Sequence, residues 1–220
     1  RMGYNVAGLS FEQGAPVLAA ADYKFFAGGE DWSQVMDEFL GLSAMVTYAT
    51  PWLPTNLLGK LIHTDLPQGT DMLELMDDHA LSRAYLESQS MNTLPHAFVS
   101  TLEEVADAAR LLGYPVVVKP IFKHSHHDNQ IILRGDWDLG RVAPLIDGGT
   151  LIAQTWLENV KEYAMTAVRD QEGHFAMYPL RQTTVNKEHL RTAWTIEDVE
   201  DDFYHEVVSV TQRAGSTLSY

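Results

Sequence analysis

Lys119 is the side chain of this sequence best placed for chemistry. It ends a β-branched run, Val116, Val117 and Val118, that a Gly-Tyr-Pro turn precedes and Pro120 follows. Such a run reads as a buried strand, so the ammonium emerges where the strand opens. There it can neutralise phosphate oxygens as a point charge, or simply snorkel at the surface. Beyond it stand His124, His126 and His127, beside Asp128. Histidine with aspartate suits zinc or nickel. A mobile polar loop with several histidines is commoner, and at mildly acid pH those rings would add positive charge for a phosphate. Trp156 and Trp194 can stack on a base, although core packing is the commoner role. Asp77 and Asp78 suit the dipole of a helix start, and Glu200, Asp201 and Asp202 read as a solvated face. His63, His79, His174, His189 and His205 have no spaced partners and read as surface residues. No Ser-His-Asp arrangement stands out, so neither a catalytic residue nor a metal ligand is assigned.

Composition narrows the class. The chain has 220 residues, 45% hydrophobic and 20% charged, enough for one large domain or two small ones. No stretch approaches the length of a membrane span. Thirty acidic against fifteen basic residues give a net charge of −15, which repels a polyanion such as nucleic acid but not a small anion met by a few placed lysines and amides. The absence of cysteine excludes disulfides and thiolate chemistry and fits a cytoplasmic protein. No signal peptide is seen. The chain starts at an arginine without an obvious first strand, so its true start is expected upstream.

The elements that must position Lys119 follow from periodicity. Residues 3–9 read as a strand, 31–40 as a helix, 44–48 (A-M-V-T-Y) as a buried strand, and 55–63 and 71–89 as helices. Residues 95–100 read as a strand, and Ser100 or Thr101 caps a helix over 102–112. Strands over 115–119 and 130–134 and a helix over 136–146 come next. From residue 150 the spacing predicts strand-like runs at 150–156, 162–169, 174–180 and 182–194, an antiparallel sheet, closed by an acidic helix over 196–214. The fold class is α/β plus α+β, with domains expected at 1–75, 76–149 and 150–220. A strand-end lysine between two facing small lobes suggests a nucleotide held between sheets.

These residues resemble a known family. L-G-Y-P-V-V-V-K-P at 112–120, L-I-A-Q-T-W-L-E-N-V-K-E-Y at 151–163 and A-V-R-D-Q-E-G-H-F-A-M-Y-P-L at 167–180 are similar to the ATP-grasp enzymes. More narrowly they resemble the ATPase subunit of phosphoribosylaminoimidazole carboxylase, or N5-carboxyaminoimidazole ribonucleotide synthetase. The resemblance runs from near Gly3 to Tyr220, through V-T-Y at 46–48, Pro54 and Asp78. It implies an ATP-grasp fold of two small α+β lobes, preceded by an incomplete Rossmann-like α/β domain. It also implies ATP with Mg²⁺: ATP phosphorylates bicarbonate, and the carboxyl passes to the amine of aminoimidazole ribonucleotide. Carried over, Lys119 contacts the ATP phosphates, and Gln130 is the retained residue of the loop above them. Residues 154–157, with Gln154, Trp156 and Leu157, form the hinge at the adenine edge, and Glu162 accepts from the ribose hydroxyls.

The departures bear on activity. Where the family has a glycine-rich loop, residues 123–129 contain no glycine, and side chains with Cβ atoms cannot freely bring amides to phosphate. This loop is expected to be mobile. Gln154 replaces an expected carboxylate, Arg83 an expected lysine, Ala49 and Pro51 expected acids, and Gln182-Thr183 an expected Glu-Asn pair. The family's N-terminal glycine-rich turn and C-terminal metal-binding segment lie outside these residues, which leaves Mg²⁺ without an obvious home. The resemblance thus implies an ATP-dependent carboxylating ligase of purine biosynthesis. The departures keep open an inactive paralog that still binds nucleotide or a partner, and a ligase with a changed substrate. A homodimer through the α/β lobe also stays open.

Overall fold

The structure, a computed structural model, describes residues 3–49, 53, 55–61, 63–122, 130–185, 191–196 and 199–218. The loop 123–129, on which the histidine and glycine-loop expectations fall, lies outside them. The chain divides into two compact units, Arg1–Thr70 and Asp71–Ser219.

In the first unit β1 (Ala7–Ser10) and β2 (Tyr23–Phe26) pair in parallel, joined through α1 (Pro16–Ala20). Helix α2 (Trp32–Leu42) turns Met36 and Phe39 inward, where Phe39 meets Phe25 edge-on at 5.6 Å. Val46 joins this core with Leu57 and Leu61 of α3 (Thr55–Leu61). The parallel pair agrees with the expected α/β layer. The strand expected over 44–48 is absent. Val46 is buried, but its N–H donates to the carbonyl of Asp65 and that of Tyr48 to Gln68 Oε1. An apolar run can therefore be buried and satisfied by a loop instead of a ladder.

The second unit begins with two helices where the period suggested one. Asp78 separates α4 (Asp71–Asp77) from α5 (His79–Ser88). Its backbone is extended, and its carboxylate accepts from the N–H of Ala80 at 2.6 Å and Leu81 at 3.3 Å. That is an N-cap, favoured because it satisfies orphan donors of the new helix. A four-stranded antiparallel sheet follows, in the order β3 (His96–Val99), β6 (Leu151–Thr155), β4 (Val116–Pro120), β5 (Ile131–Leu133). Strand β6 was expected with the antiparallel runs after residue 150; it inserts here between β3 and β4, a pairing set by tertiary contacts that local periodicity does not encode. Helix α6 (Leu102–Leu112) covers one face, burying Val105, Ala108 and Ala109 against Val116, Val118, Leu133, Leu151 and Ala153. Its start is a full capping box, Thr101 with Glu104, worth about 1 kcal/mol by comparison with other caps. It stops at Gly113, whose φ of 80° glycine adopts without a Cβ penalty. The helix expected over 136–146 forms as a 3₁₀ segment, Asp136–Val142, followed by α7 (Ala143–Ile146).

The run 162–169 is two strands in two sheets. β7 (Glu162–Ala164) pairs with β10 (Arg181–Val185), and β8 (Ala167–Arg169) forms a separate hairpin with β9 (Phe175–Met177). The run 182–194 is likewise a hairpin of β10 with β11 (Arg191–Thr195). The last helix, α8 (Asp201–Ser216), ends on Arg169, whose guanidinium donates to the carbonyls of Gly215 and Ser216 at 2.6 and 2.8 Å. A cation there answers both the open carbonyls and the helix dipole. Among the described residues no helix is long and apolar enough to cross a membrane.

One surface triad gives a pH signature. The Tyr114 hydroxyl donates to Asp136 at 2.6 Å, and Arg110 donates to the same carboxylate at 3.0 Å. Burial first, then the bond to Asp136, pushes the Tyr114 hydroxyl up to about 12. The Tyr114 bond and then Arg110 hold Asp136 below the usual carboxylate value. A raised tyrosine contributes stability that is present below its unfolded pKa of about 10 and lost as pH rises towards the folded value. Melting temperature should therefore fall between about pH 10 and 12 in the wild type, and Tyr114→Phe should flatten that limb. The check is a series of circular-dichroism melts across pH.

Candidate functional site

Strand alternation sorts the central sheet into two faces. Opposite the α6 face lie Val117, Lys119, Ile152 and Gln154, with Lys119 paired to Ile152 and Val117 to Gln154 by register. His96 and Phe98 continue the two rows on β3. Gln130 stands one residue beyond the Val118–Ile131 pair, at the level of Lys119, and is exposed. Of the residues singled out, Lys119 and Gln154 thus come from the adjacent strands β4 and β6, and Gln130 stands just before β5 of the same sheet.

Helix α5 reaches this face. Its first residue is tied to the chain just past Lys119: the N–H of His79 donates to the carbonyl of Ile121 at 2.8 Å, and Asp78 bridges Phe122. One turn on, Arg83 Nη2 donates to Gln154 Oε1 at 2.6 Å. Gln154 is only 7% exposed. The Nε of Arg83 is buried with no hydrogen-bond partner among the described residues. Burial lowers the Arg83 pKa, partly opposed by Glu87, yet an arginine keeps its proton. This pairing was not legible in the sequence, because Arg83 and Gln154 are 71 residues apart.

The chain leaves the sheet at the end of β6. The N–H of Thr155 donates to Pro95 O and that of Trp156 to Pro115 O, both at 3.0 Å, so the backbone is anchored up to Trp156. Trp156 is half-buried and Leu157 exposed. Glu162 is exposed on β7 and accepts from Thr183 Oγ1 at 3.2 Å. Tyr163 and Gln182 point to the opposite face of that sheet, where a cavity of about 370 Å³ opens between them, Lys161 and the start of α8. This cavity therefore lies on the face away from Glu162. The Tyr85 hydroxyl donates to Ala214 O at 2.5 Å and joins α5 to α8.

His174 is not the partnerless residue that spacing suggested. It closes the β8–β9 turn, its N–H donating to Asp170 Oδ1 at 2.8 Å and its ring lying 3.0 Å from Oδ2. These bonds hold the Asp170 carboxyl below its usual range. With Glu172 the three form an exposed cluster, which a tight turn explains without a metal.

A cation, a buried amide and a guanidinium donor on one face suit an anionic, acceptor-rich ligand. The ATP-grasp domain family matches residues 84–220, more than half of the chain. The chain belongs to the ATP-grasp domain family. It is 26% identical over 183 residues to the N5-carboxyaminoimidazole ribonucleotide synthase of Staphylococcus epidermidis, covering 83% of this chain and 48% of that protein. Among solved structures it superposes on N5-carboxyaminoimidazole ribonucleotide synthetase from Thermus thermophilus with a TM-score of 0.86 at 19% identity, covering 100% of this chain and 59% of that one. The corresponding Aspergillus clavatus enzyme, in complex with ADP and 5-aminoimidazole ribonucleotide, gives a TM-score of 0.71 at 14% identity, covering 84% and 49%. The mixed fold expected from the sequence is the ATP-grasp fold. The chain spans about half the length of the curated relatives it matches.

For the groups an ATP-grasp domain implies, the fit divides. A nucleoside triphosphate on this face would meet a cation in Lys119 and donors in Arg83 and Gln154. Mg²⁺ takes oxygen ligands, and among the described residues the Lys119 face of the central sheet presents no carboxylate.

Proposed function

We propose that this chain is the nucleotide-binding portion of an ATP-dependent carboxylating ligase that acts on aminoimidazole ribonucleotide in purine biosynthesis. The observation that carries the reading is the placement of Lys119 and Gln154 on one face of adjacent strands, with Gln130 just before the next strand, in an ATP-grasp fold. The named activity of the Staphylococcus relative supports it.

In this reading Lys119 holds the phosphates as a point charge, with Gln130 beside it. The backbone of residues 154–157 meets the edge of the base, flanked by Trp156 and Leu157, and Glu162 accepts from the ribose diol. ATP phosphorylates bicarbonate, and the amine of the ribonucleotide attacks the activated carboxyl and releases phosphate. Mg²⁺ would enter with the triphosphate, since this face offers it no carboxylate. A second reading, a paralog that binds nucleotide but does not catalyse, is favoured by that same lack and by the glycine-free sequence of residues 123–129.

Calorimetric titration of MgATP into the full chain, followed by phosphate release with bicarbonate and aminoimidazole ribonucleotide, separates the two. Binding with substrate-dependent phosphate release is the expected result for the ligase. Binding without turnover leaves the inactive paralog. Absence of heat and of thermal shift at millimolar nucleotide overturns both.

A further inference from the structure

The carboxylate of Glu162 is held by a neighbour more rigid than itself. Glu162 lies on β7, at one end of the sheet order β11-β10-β7, and it is exposed. A glutamate on an edge strand has a long, mobile stem, and ordering it when a ligand binds costs affinity. Thr183 stands directly opposite on β10, the central strand, where register pairs it with Glu162 on one side and Ala193 on the other. Its Oγ1 donates to Glu162 Oε2 at 3.2 Å. Branching at Cβ restricts χ1 of a threonine, and two ladders hold the backbone of this one, so its hydroxyl is the fixed member of the pair. Among the described residues no cation and no other donor reaches the Glu162 carboxylate.

A carboxylate has about four lone-pair positions on its two oxygens. Thr183 takes one and leaves the rest for a pair of donors such as the two hydroxyls of a ribose. A lysine or arginine in its place would neutralise the acceptor. A hydroxyl orients the carboxylate and leaves its charge, which strengthens the bonds it accepts. We propose that Thr183 is a positioning residue for ribose recognition: it fixes the Glu162 carboxylate in the orientation that receives the 2′ and 3′ hydroxyls. The inference rests on the reading of Glu162 as the ribose acceptor. In this role Thr183 acts through Glu162 and not on the nucleotide itself. Its loss therefore shows in how well the site tells a diol from its absence.

The test is titration of ATP and of 2′,3′-dideoxy-ATP, each with Mg²⁺, into the full chain as wild type, Thr183→Val, Thr183→Ser and Glu162→Ala, with melts in parallel. The wild type should prefer ATP. Thr183→Val keeps the shape and the strand preference and removes only the hydroxyl. Its affinity for ATP should fall about two- to tenfold, the cost of ordering one long side chain, while that for the dideoxy analogue stays. Thr183→Ser keeps the hydroxyl and should retain most of the preference. A threonine with a structural role alone would lower both ligands together and leave their ratio unchanged, and that result overturns the inference. If Glu162→Ala abolishes the preference while Thr183→Val keeps it whole, the ribose reading stands and the inference falls. No preference for ATP in the wild type, or a preference that survives Glu162→Ala, removes the reading of Glu162 and the inference with it. Should Thr183→Val not fold, Thr183→Ala carries the same expectation.

Discussion

Lys119→Ala is expected to weaken binding of a nucleoside triphosphate about 10- to 100-fold, whichever purine it carries, because a charged hydrogen bond to phosphate is worth about 1.5–3 kcal/mol. The loss should grow from nucleoside monophosphate to triphosphate, since the lysine is proposed to meet phosphate and not base. Stability should barely move: the core of β4 is made by Val116, Val117 and Val118, and Lys119 is only half-buried at its end. Lys119→Arg keeps the charge but replaces a compact ammonium with a planar fork, so partial retention is expected. Titration of AMP, ADP and ATP into the three proteins, with melts in parallel, reads all of this. An unchanged ATP affinity in a folded Lys119→Ala chain would place the phosphates elsewhere. The loss is also distinct from that at the ribose: Lys119 should act on ATP and its dideoxy analogue alike, whereas Thr183 should act on their ratio.

What the sequence made legible follows from how local each determinant is. Helix α6 forms over the residues that periodicity indicated, because its start and stop are written beside it in Thr101, Glu104 and Gly113. The core of β4 is equally local, a β-branched run between two turn signals. The helix start at Asp78 had a local signal as well, the acidic pair Asp77 and Asp78 that suits a helix start, although the apolar period ran through it from 71 to 89. Pairing was not legible. Nothing in residues 151–155 says that they insert between β3 and β4, and the run 162–169 does not announce that its halves enter different sheets. The site shows the same division. Lys119 was visible as a strand-end cation and Gln154, through the resemblance, as a hinge residue in place of a carboxylate, but the bond of Gln154 to Arg83 across 71 residues was not. The segment 44–48 marks the limit of hydrophobic pattern as evidence, since burial of Val46 came without a strand.

Leu151→Ala is expected to destabilise the second unit by about 2–5 kcal/mol, the range of a buried leucine truncated to alanine where the cavity cannot fully collapse. Leu151 is 1% exposed and packs in the cluster that joins α6 to the central sheet. It lies opposite Val99 on β3 and Pro120 on β4, so both flanking strands lose contact at once. For a domain whose stability is about 5–15 kcal/mol this is a large fraction, and the melting temperature should drop by roughly 5–15 °C. Leu111→Ala is the control: Leu111 is 87% exposed on α6, and its loss should stay within about 0.5 kcal/mol. Urea titrations of both variants measure the difference. The site should feel Leu151→Ala as well, because residues 151 and 152 carry the strand that sets Ile152 beside Lys119 and Gln154 one step on. Triphosphate affinity is therefore expected to fall with the stability of this sheet, and bound triphosphate to restore part of the lost melting temperature by mass action. Equal stability of the two variants would mean that β6 is not the strand that holds this core.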